Sequence, residues 1–521
     1  MNAIAIRNIV VAIFVVLLCI LIGSYAAEDR DVSMIMMAAI IGLIFMLVMG
    51  RKSWKLLYLL PPLVGFLPIG ILHRLPSGFL VAGFVLTYWA LMWIMGYVHF
   101  KWRVLPALDF IALAVFLYYA LTYYWHPVSI NALGIEAEYV GGEEYVWCVL
   151  AAVYYVTLSS IPCSYDALYG VLRKTMYLMV GVATFGAIYW TTGMVSDGTL
   201  AEEMGNSRFG VFAELGILGF LILYSRKTFH EILASPKTIV LLLLCCAAVA
   251  ISGWREKIVM LGTMAAVISY IKREATYFIV CVAAVYGTLL YLSEEKVVEE
   301  NFPYGMQRSL AILPGMQISE EIRYETEDSS EWRKVMWRWA LDPRTGYIKD
   351  YVWGDGFGQA VADLNRYNVS LMRGSTFFGN QEDFAVTGTW HNGPILAVHR
   401  TGIVGLALIT ITFLYGAFLI VRVCRAYRGT PMFVLTVVFL CNFYGDIAHF
   451  YLSAGRITFF FKDFMYLAIA KVLYCIGREE GIIIPVFSKG RYNPMLIAEQ
   501  RRQGLLQRGQ QESIAIRRRR S

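Results

Sequence analysis

Apolar runs close to twenty residues long recur along this chain, and no other feature limits its possible folds as strongly. A helix needs about 20 residues to cross the ~30 Å hydrocarbon core of a bilayer, where every backbone N–H and C=O must be satisfied internally. The hydropathy pattern predicts about fourteen such spans. They fall near 8–27, 33–50, 55–72, 77–98, 105–125, 144–162, 174–192, 208–224, 237–254, 257–271, 275–292, 390–421, 431–452 and 457–477. The first follows Arg7 and ends near Ser24-Tyr25-Ala26-Ala27, which resembles a cleavage site. Its apolar core is long for a signal peptide, so it reads as a span. Charged residues make up 16% of the chain, well below the roughly one quarter of a soluble protein. The expected fold is an all-α polytopic membrane protein.

Charge orients the bundle. Arg51, Lys52 and Lys55, then Lys101 and Arg103, Arg173 and Lys174, Arg226 and Lys227, Lys272 and Arg273, and Arg422, Arg425 and Arg428 all fall in loops on one side. That side is expected to be cytoplasmic, with both termini. The alternate loops are acidic or polar, as at Glu28, Asp29 and Asp31, or Glu136, Glu138, Glu143 and Glu144. The net charge of +7 therefore reads as membrane topology and not as nucleic-acid binding.

The topology divides the chain into spans one to eleven (1–292), a large periplasmic segment (293–389), spans twelve to fourteen (390–477) and a basic cytoplasmic tail (478–521). In the large segment, Trp332, Val335, Met336 and Trp339 recur at i, i+3, i+4 and i+7, predicting an amphipathic helix with Arg333, Lys334 and Arg338 off its apolar face. Such a helix can rest on the headgroups or serve as a lid over a lipid-linked substrate. The Gly354-Asp355-Gly356-Phe357-Gly358 run that follows reads as a tight turn, since no strand–helix context makes it a nucleotide motif. The tail, with Arg501, Arg502, Arg508 and Arg517 to Arg520, reads as a headgroup-attracted segment. None of the nine cysteines lies in 293–389 and no CxxC pair occurs, so neither a disulfide framework nor a zinc site is expected. No internal repeat suggests the inverted halves of many transporters.

Several polar groups sit where membrane placement makes them costly. Arg208 opens the eighth span, Arg255 lies in the hairpin between the ninth and tenth, and His391 opens the twelfth. Any one alone is a snorkelling side chain or a helix cap. Together, two arginines and a histidine on the outer face oppose the cytoplasmic bias and point to an anion, because guanidinium forks suit phosphate oxygens. A histidine there can take a proton from a hydroxyl at neutral pH. Asp446 and His449, three residues apart in the thirteenth span, and Arg456 beyond it are secondary candidates, as an ion pair, as polar glue or as part of the site. Glu214, inside the eighth span, is expected to neutralise an arginine. No outer His/Asp/Glu cluster has metal-ligand spacing, and no cofactor is implied.

His391-Asn392, nine residues, then Gly402-Ile403-Val404-Gly405 resembles the His-Asn-x9-Gly-x-x-Gly signature of the bacterial O-antigen ligase and polymerase superfamily. Ser207-Arg208-Phe209-Gly210 resembles its Arg-x-x-Gly span opening, with Ala213-Glu214 in place of the usual Pro-Asn. Ser252-Gly253-Trp254-Arg255 resembles its Ser-x-Ser-Arg hairpin, and Trp353 to Gly358 its Gly-x-Gly-Phe-Gly segment. The similarity spans roughly residues 205–420.

The resemblance implies a glycosyltransferase of the bacterial inner membrane that takes a glycan from undecaprenyl diphosphate on the periplasmic face. Ligases of this kind join it to a lipid A-core sugar, polymerases to another lipid-linked repeat, and relatives to a protein hydroxyl. The residues agree, because an enzyme outside the cytoplasm has no nucleotide sugar and needs a substrate with its own leaving group. On this reading Arg208 and Arg255 hold the diphosphate, His391 is the base, and Asn392 orients the histidine or an acceptor sugar. Gly402 and Gly405 allow close helix packing. Expected partners are the lipid-linked donor, a glycan or lipid A-core acceptor, membrane lipids and other envelope polysaccharide assembly proteins. The competing readings are a polymerase of the same superfamily, a flippase for lipid-linked glycan and a non-catalytic scaffold.

Overall fold

The computed structural model describes residues 49–59, 92, 96, 101–128, 139–196, 210–360, 385–388, 390–453, 455 and 457–483. The predicted spans 8–27, 33–50 and 77–98 lie outside these almost entirely, and of 55–72 only the end of a 3-10 helix, Gly50–Leu59, is described. Each of the ten later spans is helical. The helices are α1 (Pro106–Trp125), α2 (Glu143–Ser160), α3 (Tyr165–Ser196), α4 (Gly210–Arg226), α5 (Pro236–Ile251), α6 (Arg255–Lys272) and α7 (Ala275–Glu294). Within the large segment come α8 (Tyr304–Leu310) and α9 (Glu320–Leu341), and past it α10 (Gly393–Tyr427), α11 (Met432–Leu440), α12 (Asn442–Leu452) and α13 (Ile457–Glu479). Prolines sit in the first turns of α1, α5 and α10, where a missing N–H costs nothing.

Five stretches are long and apolar enough to cross a membrane: Pro106–Trp125, Tyr165–Ile188, Ala275–Glu294, Gly393–Tyr427 and Met432–Leu452, the last formed by α11 and α12 end to end. None of the apolar window of α7 is buried by protein, which suits lipid and would be costly in water. At the other extreme, α13 is enclosed, with Phe460, Phe461, Phe464, Leu467 and Leu473 all at 1% exposure or less. It packs against α2, while α4 packs on α5, α6 on α12, and α10 on both α1 and α13.

The two ends of the bundle differ. At one, Lys101 pairs with Glu479 at 2.9 Å and Lys272 with Glu274 at 2.7 Å, all in segments predicted cytoplasmic. At the other, segments predicted to be outer are tied together: β1 (Tyr139–Val140) pairs antiparallel with β2 (Gln359–Ala360), Tyr139 opposite Ala360. Trp125, at the end of α1, meets Trp353 edge-on at 5.5 Å.

Candidate functional site

Helix α10 is 35 residues long, about 52 Å at 1.5 Å per residue, more than a bilayer requires. It is broken at Gly402, where φ is 65° and ψ −178°. The break frees backbone groups, and loop 351–356 takes most of them up. Asp355 N donates to His399 O at 2.8 Å and Gly356 N to Arg400 O at 3.0 Å. Below the break, Ile403 N and Val404 N donate to Tyr351 O and Val352 O at 2.8 and 3.3 Å. The Tyr118 hydroxyl of α1 donates to Thr401 O at 2.6 Å.

Only glycine permits this approach. A Cβ on Gly402 would sit 2.0 Å from Val352 O, and one on Gly354 2.4 Å from Thr401 N. Gly402 therefore receives a loop, where the sequence suggested a neighbouring helix; at Gly405 a Cβ would meet the Thr401 side chain and the Tyr118 ring of α1. The turn expected at Gly354 to Gly358 is present, with φ of 82° and 77° at Gly354 and Gly356, and its Phe357 is buried against Tyr119 and Tyr145.

The short piece of α10 above the break is pinned at both ends. Asn392 caps it, Oδ1 accepting from Ile395 N at 3.0 Å. Trp390 is fully buried; its carbonyl accepts from Trp337 Nε1 at 2.9 Å, and its own Nε1 donates to His399 Nδ1 at 3.0 Å. Indole is a donor only, so His399 Nδ1 carries no proton and Nε2 does. Nε2 lies 3.5 Å from the Asp355 carboxylate, which also accepts from Lys349 N and Asp350 N at 2.9 Å. The buried Arg400 guanidinium is spent on the carbonyls of Gly356, Gly358 and Thr387, at 3.3, 3.3 and 2.8 Å.

His391 sits between the buried Trp390 and the capping Asn392, half-buried and with φ of 47°, a left-handed conformation uncommon outside glycine. Its ring meets that of Trp332 at 5.5 Å and 60°. The amphipathic helix is thus longer than predicted, Glu320–Leu341, and its apolar stripe of Trp332, Met336 and Ala340 packs on Trp390 and Ile395. Protein, and not headgroups, covers that stripe. Arg333 follows Trp332 on this helix and is half-buried.

Arg255 is the first residue of α6, half-buried, in a hairpin where Gly253 has φ of 71°. Helix α8 lies on this hairpin so closely that a Cβ on Gly305 would be 2.5 Å from Ile251 O. Arg308 of α8 pairs with Glu325 of α9 at 2.7 Å, so the segment carrying α8 and α9 runs from the Arg255 hairpin to His391. A second link passes through the end of α12. Phe450 closes on Gly393, beside His391, while Ser453 donates to Glu256, beside Arg255, at 3.3 Å. The N-termini of α6 and α10 therefore flank the same short stretch of chain, where their dipoles favour negative charge.

Arg208 and Arg456 lie outside the described residues. Asp446 and His449 lie on α12, which packs against α6. Glu214 is paired with Lys257. Sequence reading missed Lys257 of α6 and Asp463 and Tyr466 of α13, which interact electrostatically with Asp446. A signal existed: Lys462-Asp463 interrupts an otherwise aromatic run between Phe461 and Phe464 inside a predicted span. Among the described residues no group of three or more His, Cys, Asp or Glu could hold a metal ion. No protein-family model matches the chain, and no curated protein matches it.

Proposed function

We propose that this chain is a membrane glycosyltransferase that moves a glycan from undecaprenyl diphosphate to an acceptor hydroxyl at the outer face, as an O-antigen ligase does. The observation that carries the reading is the setting of His391. It heads a broken helix in a constrained conformation, against the Trp332 ring, at the same end of the bundle as Arg255.

In this mechanism the acceptor oxygen forms a bond to the anomeric carbon as the bond from that carbon to the diphosphate oxygen breaks. The electron pair leaves with undecaprenyl diphosphate, and the acceptor proton passes to His391. Displacement on one face with departure from the other inverts the centre. Arg255 and the N-termini of α6 and α10 stabilise the departing charge, a contribution of about 3–4 kcal/mol per well-placed donor. Arg208 is assigned the same task. Trp332 closes water away from the histidine and offers a face for sugar stacking, and Arg333, Asp446, His449 and Arg456 line or support the site. Asn392 acts through its cap, holding the backbone that carries His391.

The test is a glycan ladder from cells that depend on this chain. His391→Ala is expected to lower transfer by about 10²–10⁴-fold with the protein still inserted. Unchanged glycan in that strain overturns the assignment. The ladder also separates the two members of the class: a dead ligase leaves long chains on the lipid carrier, and a dead polymerase leaves single repeats.

A further inference from the structure

Behind the Arg255 hairpin lies a polar cluster of which the transfer mechanism uses only Asp446 and His449, as supports, and whose protonation it does not use. Asp446 of α12 faces Asp463 of α13, and the two carboxyl groups interact directly. Asp463 is sealed at 0% exposure, and neither of its oxygens receives a hydrogen bond from any donor among the described residues. Around them stand Glu214 of α4, Lys257 and Glu256 of α6, Lys462 and Tyr466 of α13, and His449 one turn along α12.

Two ionised carboxylates cannot hydrogen-bond each other, because both are acceptors only. At close range in a low dielectric their repulsion is several kcal/mol, and a shared site takes up a proton instead. Lys257 is committed to Glu214, and Lys462 lies 5.0 Å over the Trp147 ring.

We propose that Asp446 and Asp463 hold one proton between them, forming a proton-binding site inside the outer half of the bundle. The protonated partner donates to the ionised one, which supplies the hydrogen bond that Asp463 lacks. The proton reaches the pair from the side of Lys257 and Glu214, whose side chains stay 22% and 30% accessible. With the proton in place, Lys257 stays with Glu214. Its removal places a second charge beside Lys257 and draws the ammonium away, two residues from Arg255. Protonation is thereby coupled to the electrostatics of the hairpin. The site does not depend on the glycosyltransferase reading.

Infrared spectroscopy of the full-length protein in nanodiscs tests this. At neutral pH the wild type is expected to show a protonated-carboxyl C=O stretching band that shifts in heavy water. Asp463→Asn and the Asp446→Asn/Asp463→Asn double variant are expected to lose it, since an amide then supplies the hydrogen. Absence of the band in wild type, or its full persistence in the double variant, overturns the proposal. A band that appears only when sodium is withdrawn also overturns it and assigns the site to a metal cation. Absence of the band in wild type overturns the proposal even if a variant fails to insert, and loss of the band in whichever of the two variants inserts supports it.

Discussion

The indole of Trp390 donates its N–H to Nδ1 of His399, 3.0 Å away and one turn above the break in α10. This bond fixes the tautomer of His399 and holds the residue immediately before His391. The same imidazole turns Nε2 towards Asp355, in the loop that satisfies the broken helix. The orientation of His391 therefore rests on a loop about forty residues earlier in the chain.

Trp390→Phe removes the donor while keeping an apolar ring. His399→Gln removes the acceptor, and His399→Asn retains an oxygen near the position of Nδ1. The reaction of His391 with diethyl pyrocarbonate, followed by mass spectrometry, is expected to quicken about tenfold in the first two variants, the equivalent of ~1.4 kcal/mol for one lost hydrogen bond. His399→Asn should stay near wild type. Equal rates in all four proteins show that the network does not position His391.

Gly402→Ala forces a Cβ into Val352 O at a left-handed φ, whereas a Cβ on Gly287 in α7 would meet nothing within 4 Å. The first change is expected to destabilise by at least 1–2 kcal/mol from backbone strain alone, roughly. The second should be neutral or stabilising by up to about 1 kcal/mol. Thermal unfolding in detergent, with protease sensitivity of loop 351–356, measures both.

Lys257→Met leaves Glu214 without its partner. Breaking a buried pair costs about 3–5 kcal/mol, and partial accessibility at this site lowers the expectation to roughly 1–3. Glu214→Gln in the same chain should recover most of the loss. A double-mutant cycle on thermal stability gives the coupling, and simple additivity would show that the pair contributes nothing.

Burial, reinforced by the Glu325 carboxylate, pushes the Tyr304 phenol up to about 12. An unfolded chain ionises tyrosine near 10. The raised value makes the neutral phenol a stabilising feature that is intact below about pH 10 and lost as pH rises through about 12. Tyr304→Phe should flatten that alkaline loss of stability in the α8–α9 region, read by hydrogen exchange. An unchanged alkaline profile contradicts this.

The sequence by itself determined where the later helices lie, that they are apolar enough for a membrane, and which loops carry the cationic bias. These are local properties, since a segment in lipid must satisfy its own backbone and its composition shows it. It also marked His391 at a junction and Trp332 on an apolar stripe. Tertiary structure alone decided that the stripe covers the histidine, that loop 351–356 plugs the break at Gly402, and that Glu214 belongs to Lys257. It also brought Asp446 to Asp463. Each of these depends on which helices become neighbours, and a buried polar group takes its partner from whichever chain segment packing places within hydrogen-bond reach.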